Sequence, residues 1–239
     1  MRALRVLLIV VVILGVLFVV VDRVAVHFAE GQAADKLKTT ENLASTPDVS
    51  IKGFPFLTQV ASGELDDVEV GIKDYEAATG RGSQKIRIDD LQADMKGVRF
   101  SGDYSSATAA DATGTATIAY DELLKAAKSE PTDIGFGFKA RVVGLSDGGN
   151  GKIKVTVSIA GQRIPVLSSV SVTNNKVQVH ADSLPKLAGI SLLESRIRAI
   201  TDFQQAVDQL PGGFQLDSVR AAKNGVEITV KGSNVRLAG

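Results

Sequence analysis

"GKIKVTVSIAG", residues 151–161, decides the fold class. In an extended chain Ile153, Val155, Val157 and Ile159 fall on one side while Lys152, Lys154, Thr156 and Ser158 fall on the other, the period-two pattern of a strand with one buried face. The same alternation recurs at Val68/Val70/Ile72, Ile86/Ile88, Ile134/Phe136/Phe138/Ala140/Val142, Val177/Val179 and Val226/Ile228/Val230. Turn residues separate these runs: "SDGGNG" at 146–151, "TNN" at 173–175 and "KNG" at 223–225 are hairpin signals. The chain therefore reads as α+β and mostly β, an antiparallel sheet with a polar outer face.

Helical patterning is sparse. Tyr120 to Ser129, "YDELLKAAKS", predicts a short helix with Asp121 as N-cap and Pro131 beyond its end. Ile190 to Leu210 predicts a second, since Leu192, Leu193, Ile197, Ile200 and Phe203 recur at helical spacing before "LPGG"; its last third, "FQQAVDQL", fits a strand equally well. So few helices leave much strand surface to cover. Either the sheet closes on itself around a filled core, or something other than protein fills the gap.

The N-terminus carries the strongest single signal. Arg2 and Arg5 precede an apolar run from Val6 to Val21, followed at once by Asp22 and Arg23. With Ala3 and Leu4 added and the arginines reaching back to the headgroups, the run is long enough to span a bilayer. "DRVAVHFAEGQAA" offers no clean small-x-small cleavage site, so an uncleaved anchor is expected, with secretion after cleavage as the alternative. The basic flank then keeps the N-terminus cytoplasmic and puts the rest outside the membrane. Val24 to Ala44 reads as a moderately amphipathic helix leaving the membrane, stopped by Pro47. The expected organisation is an anchor over 1–23, a juxtamembrane helix over 24–46 and an extracytoplasmic β-rich domain over 47–239.

Composition excludes several functions. The 27 basic and 27 acidic side chains cancel, and no basic block is interleaved with aromatics, which argues against nucleic acid as a partner. Without cysteine there are no disulfides, thiolate chemistry, cysteine-ligated zinc or lipobox-type anchor. Neither histidine, His27 beside the membrane nor His180 on the polar side of a strand, is placed as a base. "GLSDG" at 144–148 has the spacing of a nucleophile elbow, but Ser146 leads into a hairpin turn instead of a helix. The pairs Asp66-Asp67 and Asp89-Asp90 lack an EF-hand frame, and "TGRGSQK" at 79–85 lacks a Walker pattern and a following helix. No catalytic residue, metal or cofactor is expected.

One cluster remains. In "IKGFPFLTQVASGELDDVEV", residues 51–70, the chain puts Phe54, Pro55, Phe56 and Leu57 where it turns between two strands. These side chains either plug the end of a packed β-core or line a mouth that meets lipid. "PFLTQV" at 55–60 and "PVLSSV" at 165–170 share a P-x-L-[ST]-x-V pattern that would fit an internal duplication.

The run from Pro47 to Val70, together with "LPGGFQLDSV…NGVEITVKG" from Leu210 to Gly232, the apolar N-terminus and the absence of cysteine, resembles the actinobacterial LmeA-like phospholipid-binding family. Gly53, Phe54, Pro55, Phe56, Leu57, Thr58 and Gln59 match its motif. The resemblance implies a long curved antiparallel sheet wrapped around one or two helices, like half of a tubular (BPI-like) lipid-binding protein. It also implies a phospholipid or lipid-linked envelope molecule as partner, and a role in lipoglycan or envelope maturation. The expected activity is a membrane-anchored binder or carrier holding lipid in an apolar groove, with Phe54, Pro55, Phe56, Leu57, Val60, Phe136 and Phe138 as candidate lipid contacts. The alternative is a scaffolding module of the envelope with a fully packed core and no lipid.

Overall fold

A computed structural model describes residues 2–78, 85–102, 106–126, 131–135, 137–174, 176–183, 198, 201–206 and 213–238. The order of elements is α1 (Arg2–Thr40), β1 (Asp48–Lys52), α2 (Phe56–Ser62), β2 (Glu64–Ala78), β3 (Lys85–Phe100), β4 (Ala107–Ala119), α3 (Tyr120–Ala126), β5 (Thr132–Gly135), β6 (Phe138–Gly149), β7 (Lys152–Ile159), β8 (Gln162–Thr173), β9 (Lys176–Ser183), β10 (Phe203–Ala206), β11 (Gln215–Ala221) and β12 (Gly225–Ala238). The chain is mostly β, antiparallel and curled, with few helices and a long apolar helix at its start. One six-stranded sheet has the order β1-β2-β3-β4-β12-β11 and the other the order β10-β9-β8-β7-β6-β5.

Two compact units share the chain. The first holds residues 1–72, 92–112 and 232–239, the second residues 73–91 and 113–231.

The second unit contains the stretch that decided the fold. β7 lies between β6 and β8, with Val155 opposite Leu145 on one side and Val166 on the other. Ile153, Val155 and Val157 are buried together with Ile134, Ala140, Val166, Ala181 and Val226. Burying one such aliphatic side chain stabilises by about 1.5–3 kcal/mol, so this alternation carries much of the unit's stability. α3 packs on β6 and contributes Tyr120 to the same core, where its hydroxyl donates to the Ala222 carbonyl at 2.8 Å. The helix begins at Tyr120, which puts Asp121 inside its first turn instead of at the N-cap.

The run from Ile134 to Val142 differs from its sequence reading. It is a hairpin, β5 against β6, and Thr132 pairs with Ala140. The alternation of Ile134, Phe136, Phe138 and Ala140 imitates one straight strand, but Gly135 and Gly137 take φ of 94° and 76°. Register shifts inside β6, at Val142/Gly144 and Asp147/Gly149, each add a bulge and so increase the local twist, which curls the sheet. The expected hairpin at 146–151 is present, with Gly149 opposite Lys152. Of the expected helix over 190–210, Phe203–Ala206 is strand β10 paired to β9, and Asp202 donates its N–H to the Arg198 carbonyl in a helical turn. The remainder lies outside the described residues, as does "TGRGSQ" at 79–84.

Candidate functional site

In the first unit, α1 is one unbroken helix of two characters. Residues 2–21 are exposed and, apart from Arg2 and Arg5, apolar; α1 is the one described helix long and apolar enough to cross a membrane. From Asp22 onward a single face is covered: Asp22, Val26 and Ala34 are buried at four- and eight-residue spacing against β1 and α2.

The contacts on this face are polar as well as apolar. The Asp22 carboxylate, with 0% of its surface exposed, accepts the Leu57 N–H through Oδ1 at 2.8 Å. α2 opens on Pro55, which follows a cis peptide bond and supplies no side-chain cap. An acceptor from 35 residues away in the chain therefore meets a free N–H of the first helical turn, the position where a negative charge is most favourable. About two turns further along α1, Glu30 Oε1 accepts the Ile51 N–H at 2.8 Å, and between them Arg23 donates to the Gly53 carbonyl at 3.4 Å.

The motif residues build this joint. Gly53 has φ of 94°, and a Cβ there would come within 2.5 Å of Gln59 Nε2 and 2.8 Å of Asp66 Oδ2, so any other residue strains the backbone and displaces those side chains. Gln59 is buried and ties α2 to both flanking strands, accepting the Asp66 N–H at 2.8 Å and donating to the Lys52 carbonyl at 3.5 Å. Phe56 is turned inward with 6% of its surface exposed, and Phe54 outward with 56%. The Arg23 guanidinium lies 5.3 Å from the centre of the Phe54 ring. Pro55, Leu57 and Val60 are half-buried. The cluster is thus both plug and exposed surface, divided by residue.

The second unit offers a different surface. Beside its buried core, Val142, Leu145, Ile159, Val170, Val172, Val177, Ile228 and Val230 are apolar but only partly covered. Phe138 at the start of β6 is 43% exposed, while Phe136 lies outside the described residues. "PFLTQV" is mostly helix α2 and "PVLSSV" is strand β8, so the shared pattern does not correspond to a shared structure.

Polar groupings that sequence spacing missed come together through strand register. Ser169 sits opposite His180, whose Nδ1 is 2.8 Å from Asp202 Oδ2. The three residue types are those of a hydrolytic triad, but the Ser169 hydroxyl donates to Asp182 Oδ1 at 2.7 Å and is not offered to the imidazole. Hydrogen bonds from Ser169 and from Lys152 hold the Asp182 carboxyl below its ordinary value. Ser146 lies on β6 opposite Lys154, within a strand and away from any strand-to-helix turn. Asp67, Glu69 and Asp94 bring carboxylate oxygens within 4.8 Å of one another, a spacing that would suit a cation. Burial, then the charges of Asp94 and Glu69, push the Asp67 carboxyl up, and its Oδ1 is buried without a hydrogen-bond partner. Register could not be read from composition, which is why Asp67 was visible in advance only as a neighbour of Asp66 and not as a partner of Glu69 and Asp94.

The chain thus combines a long apolar N-terminal helix with mostly β, curled, antiparallel sheet. The chain belongs to the LmeA-like phospholipid-binding family, whose model matches residues 20–231. It is a phospholipid-binding family and not a known enzyme family. No curated protein and no solved structure matches the chain.

Proposed function

We propose that this chain is a single-pass phospholipid-binding protein of the cell envelope. Residues 1–23 anchor it with the N-terminus cytoplasmic, residues 24–46 lead away from the bilayer, and residues 47–239 hold lipid outside the membrane. It binds or carries a phospholipid or lipid-linked envelope molecule and performs no chemistry on it, supporting lipoglycan or envelope maturation. The observation that carries this reading is the partly covered apolar sheet face of the second unit, in a chain whose family is a phospholipid-binding one. Acyl chains would complete the cover there. Each buried methylene contributes ~0.8 kcal/mol, so eight contribute ~6 kcal/mol before the ligand's lost freedom is subtracted. No cluster of charge is needed for that affinity. Side chains proposed for lipid contact are Phe54, Pro55, Leu57 and Val60 in the first unit and, separately, Phe138 in the second, together with Phe136, which lies outside the described residues; the buried Phe56 supports the α2 turn.

The test is retention. The full chain, extracted in mild detergent and exchanged into fresh detergent, should keep stoichiometric phospholipid by mass spectrometry. Val172→Glu, which puts a charge on the partly covered face, should lose it at a near-normal melting temperature. A chain that retains no lipid, or a Val172→Glu chain that retains all of it, would favour a packed scaffolding module instead.

A further inference from the structure

We propose that the Phe54 turn is a second membrane contact, in the headgroup layer of the same bilayer that α1 enters, so that the first unit is held at fixed height and attitude instead of swinging on a tether. The inference rests on the anchor reading of residues 1–23 and adds a surface to it.

The geometry comes from the joint at the foot of α1. Asp22 follows Val21 directly, and no linker intervenes between the apolar run and the folded unit. At a rise of 1.5 Å per residue, Arg23 is about 3 Å beyond Val21 along the helix axis. The Phe54 ring is 5.3 Å from the Arg23 guanidinium. The polar layer of a bilayer extends roughly 5–8 Å beyond the hydrocarbon on each side. An inserted α1 therefore brings the Phe54 ring to the depth of the headgroups.

The turn is also held there. Three contacts, Asp22 to Leu57, Arg23 to Gly53 and Glu30 to Ile51, fix β1 and α2 to successive positions of one helix. Two of them reach the turn itself, so it cannot leave the membrane surface while the helix remains inserted. The Phe54 ring is 56% uncovered directly beside the apolar helix, and in the interface it gains burial. Val24, exposed one residue past Arg23, is about 4.5 Å beyond Val21 and adds apolar surface in the same layer. Asp22 would be costly at that depth as a bare charge, but the joint removes it from lipid altogether.

The occupant of this surface is thus lipid and not a protein partner, because the surface is continuous with the membrane-entering helix. A chain without cysteine makes every introduced thiol unique. The environment-sensitive fluorophore NBD is attached in turn at Phe54→Cys, Leu14→Cys and Glu41→Cys, and the full-length proteins are placed in two sets of phosphatidylcholine/phosphatidylglycerol vesicles, one carrying headgroup-proximal and the other deep acyl-chain spin-labelled lipid. Glu41 lies about 27 Å along the axis from Arg23 and serves as the water-exposed reference. The expected result is blue-shifted emission at 54 with quenching severalfold stronger than at 41, and Leu14 quenched most by deep-labelled lipid. Strong quenching at 14 with 54 no more quenched than 41 overturns the second contact and leaves the anchor standing. Absence of quenching at 14 and 54 together overturns both. Shielding of 54 that requires an added protein also overturns it.

Discussion

Phe56 and Phe54, two residues apart, should respond to truncation by very different amounts. An aromatic side chain removes about 150–250 Å² from water when it is buried. At ~25 cal/mol per Å² the nearly complete burial of Phe56 amounts to roughly 4–6 kcal/mol, close to the ~3–5 kcal/mol observed when buried Phe is cut to Ala. Phe56→Ala should therefore destabilise the first unit by ~3–5 kcal/mol. Phe54, more than half exposed and in contact with Arg23, should cost less than ~1 kcal/mol in detergent solution. Urea unfolding of the full chain, followed by far-UV circular dichroism and by amide exchange of β1 and α2, measures both changes and assigns them to this unit. A third variant, Phe54→Asp, should weaken the headgroup-layer contact without moving the unfolding midpoint. A Phe56→Ala chain that unfolds within ~1 kcal/mol of the parent would refute the division of the cluster into an inward and an outward phenylalanine.

Three further outcomes follow from individual contacts. Gly53→Ala should destabilise the first unit by ~1–3 kcal/mol, because a positive φ and a Cβ driven into Gln59 act together, and the protection of the Asp66 amide in hydrogen exchange should fall with it. Asp67→Asn should stabilise: a carboxyl pushed up in the folded chain opposes its own ionisation, so its contribution falls as pH rises from the unfolded value of 3.8 through the raised one. The gain seen in unfolding curves at pH 7 should accordingly vanish below about pH 3.8, and a gain that persists in acid would show that charge is not its cause. Tyr120→Phe should cost ~1 kcal/mol by removing the donor to the Ala222 carbonyl, read as a shift of the second unit's unfolding midpoint.

What could be read in advance depended on whether the signal was local. β7, β9 and the start of β12 were legible because alternating β-branched residues sit between turn residues, and both properties belong to the segment itself. β4, "ATAADATGTATIA", was not, since alanine, glycine and aspartate have low strand preference and the strand exists through its neighbours. β3 was read only at Ile86 and Ile88 because its apolar positions change phase by one between Ile88 and Leu91. The β5–β6 hairpin was misread for the opposite reason: β5 and β6 pair as a hairpin, with Gly135 and Gly137 at positive φ, although the sequence alternates without a break from Ile134 to Val142.

The turn at residues 51–63 illustrates a further limit, on function. Its apolar residues drew attention because they stand where a chain bends, yet α2 is only seven residues long and its N-terminus is completed by Asp22 from another helix, so no window around the turn contains the reason for it. The residues most tightly specified there, Gly53 and Gln59, are specified by backbone geometry: one by the strain a Cβ would bring, the other by a side chain that bridges two strands. Acyl-chain binding imposes no such demand, because methylene burial is non-directional and any apolar side chain of suitable size supplies it. A lipid-binding chain should therefore show its sharpest sequence pattern at its joints and its vaguest along its ligand surface. The partly covered valines and isoleucines of β6 to β9 and β12 fit that rule, since they read from the sequence only as ordinary strand residues. Substituting Val170 and Val172 with other aliphatic residues should on this ground leave lipid retention intact, whereas Gln59→Leu, apolar and close in size, should loosen the joint and release the turn.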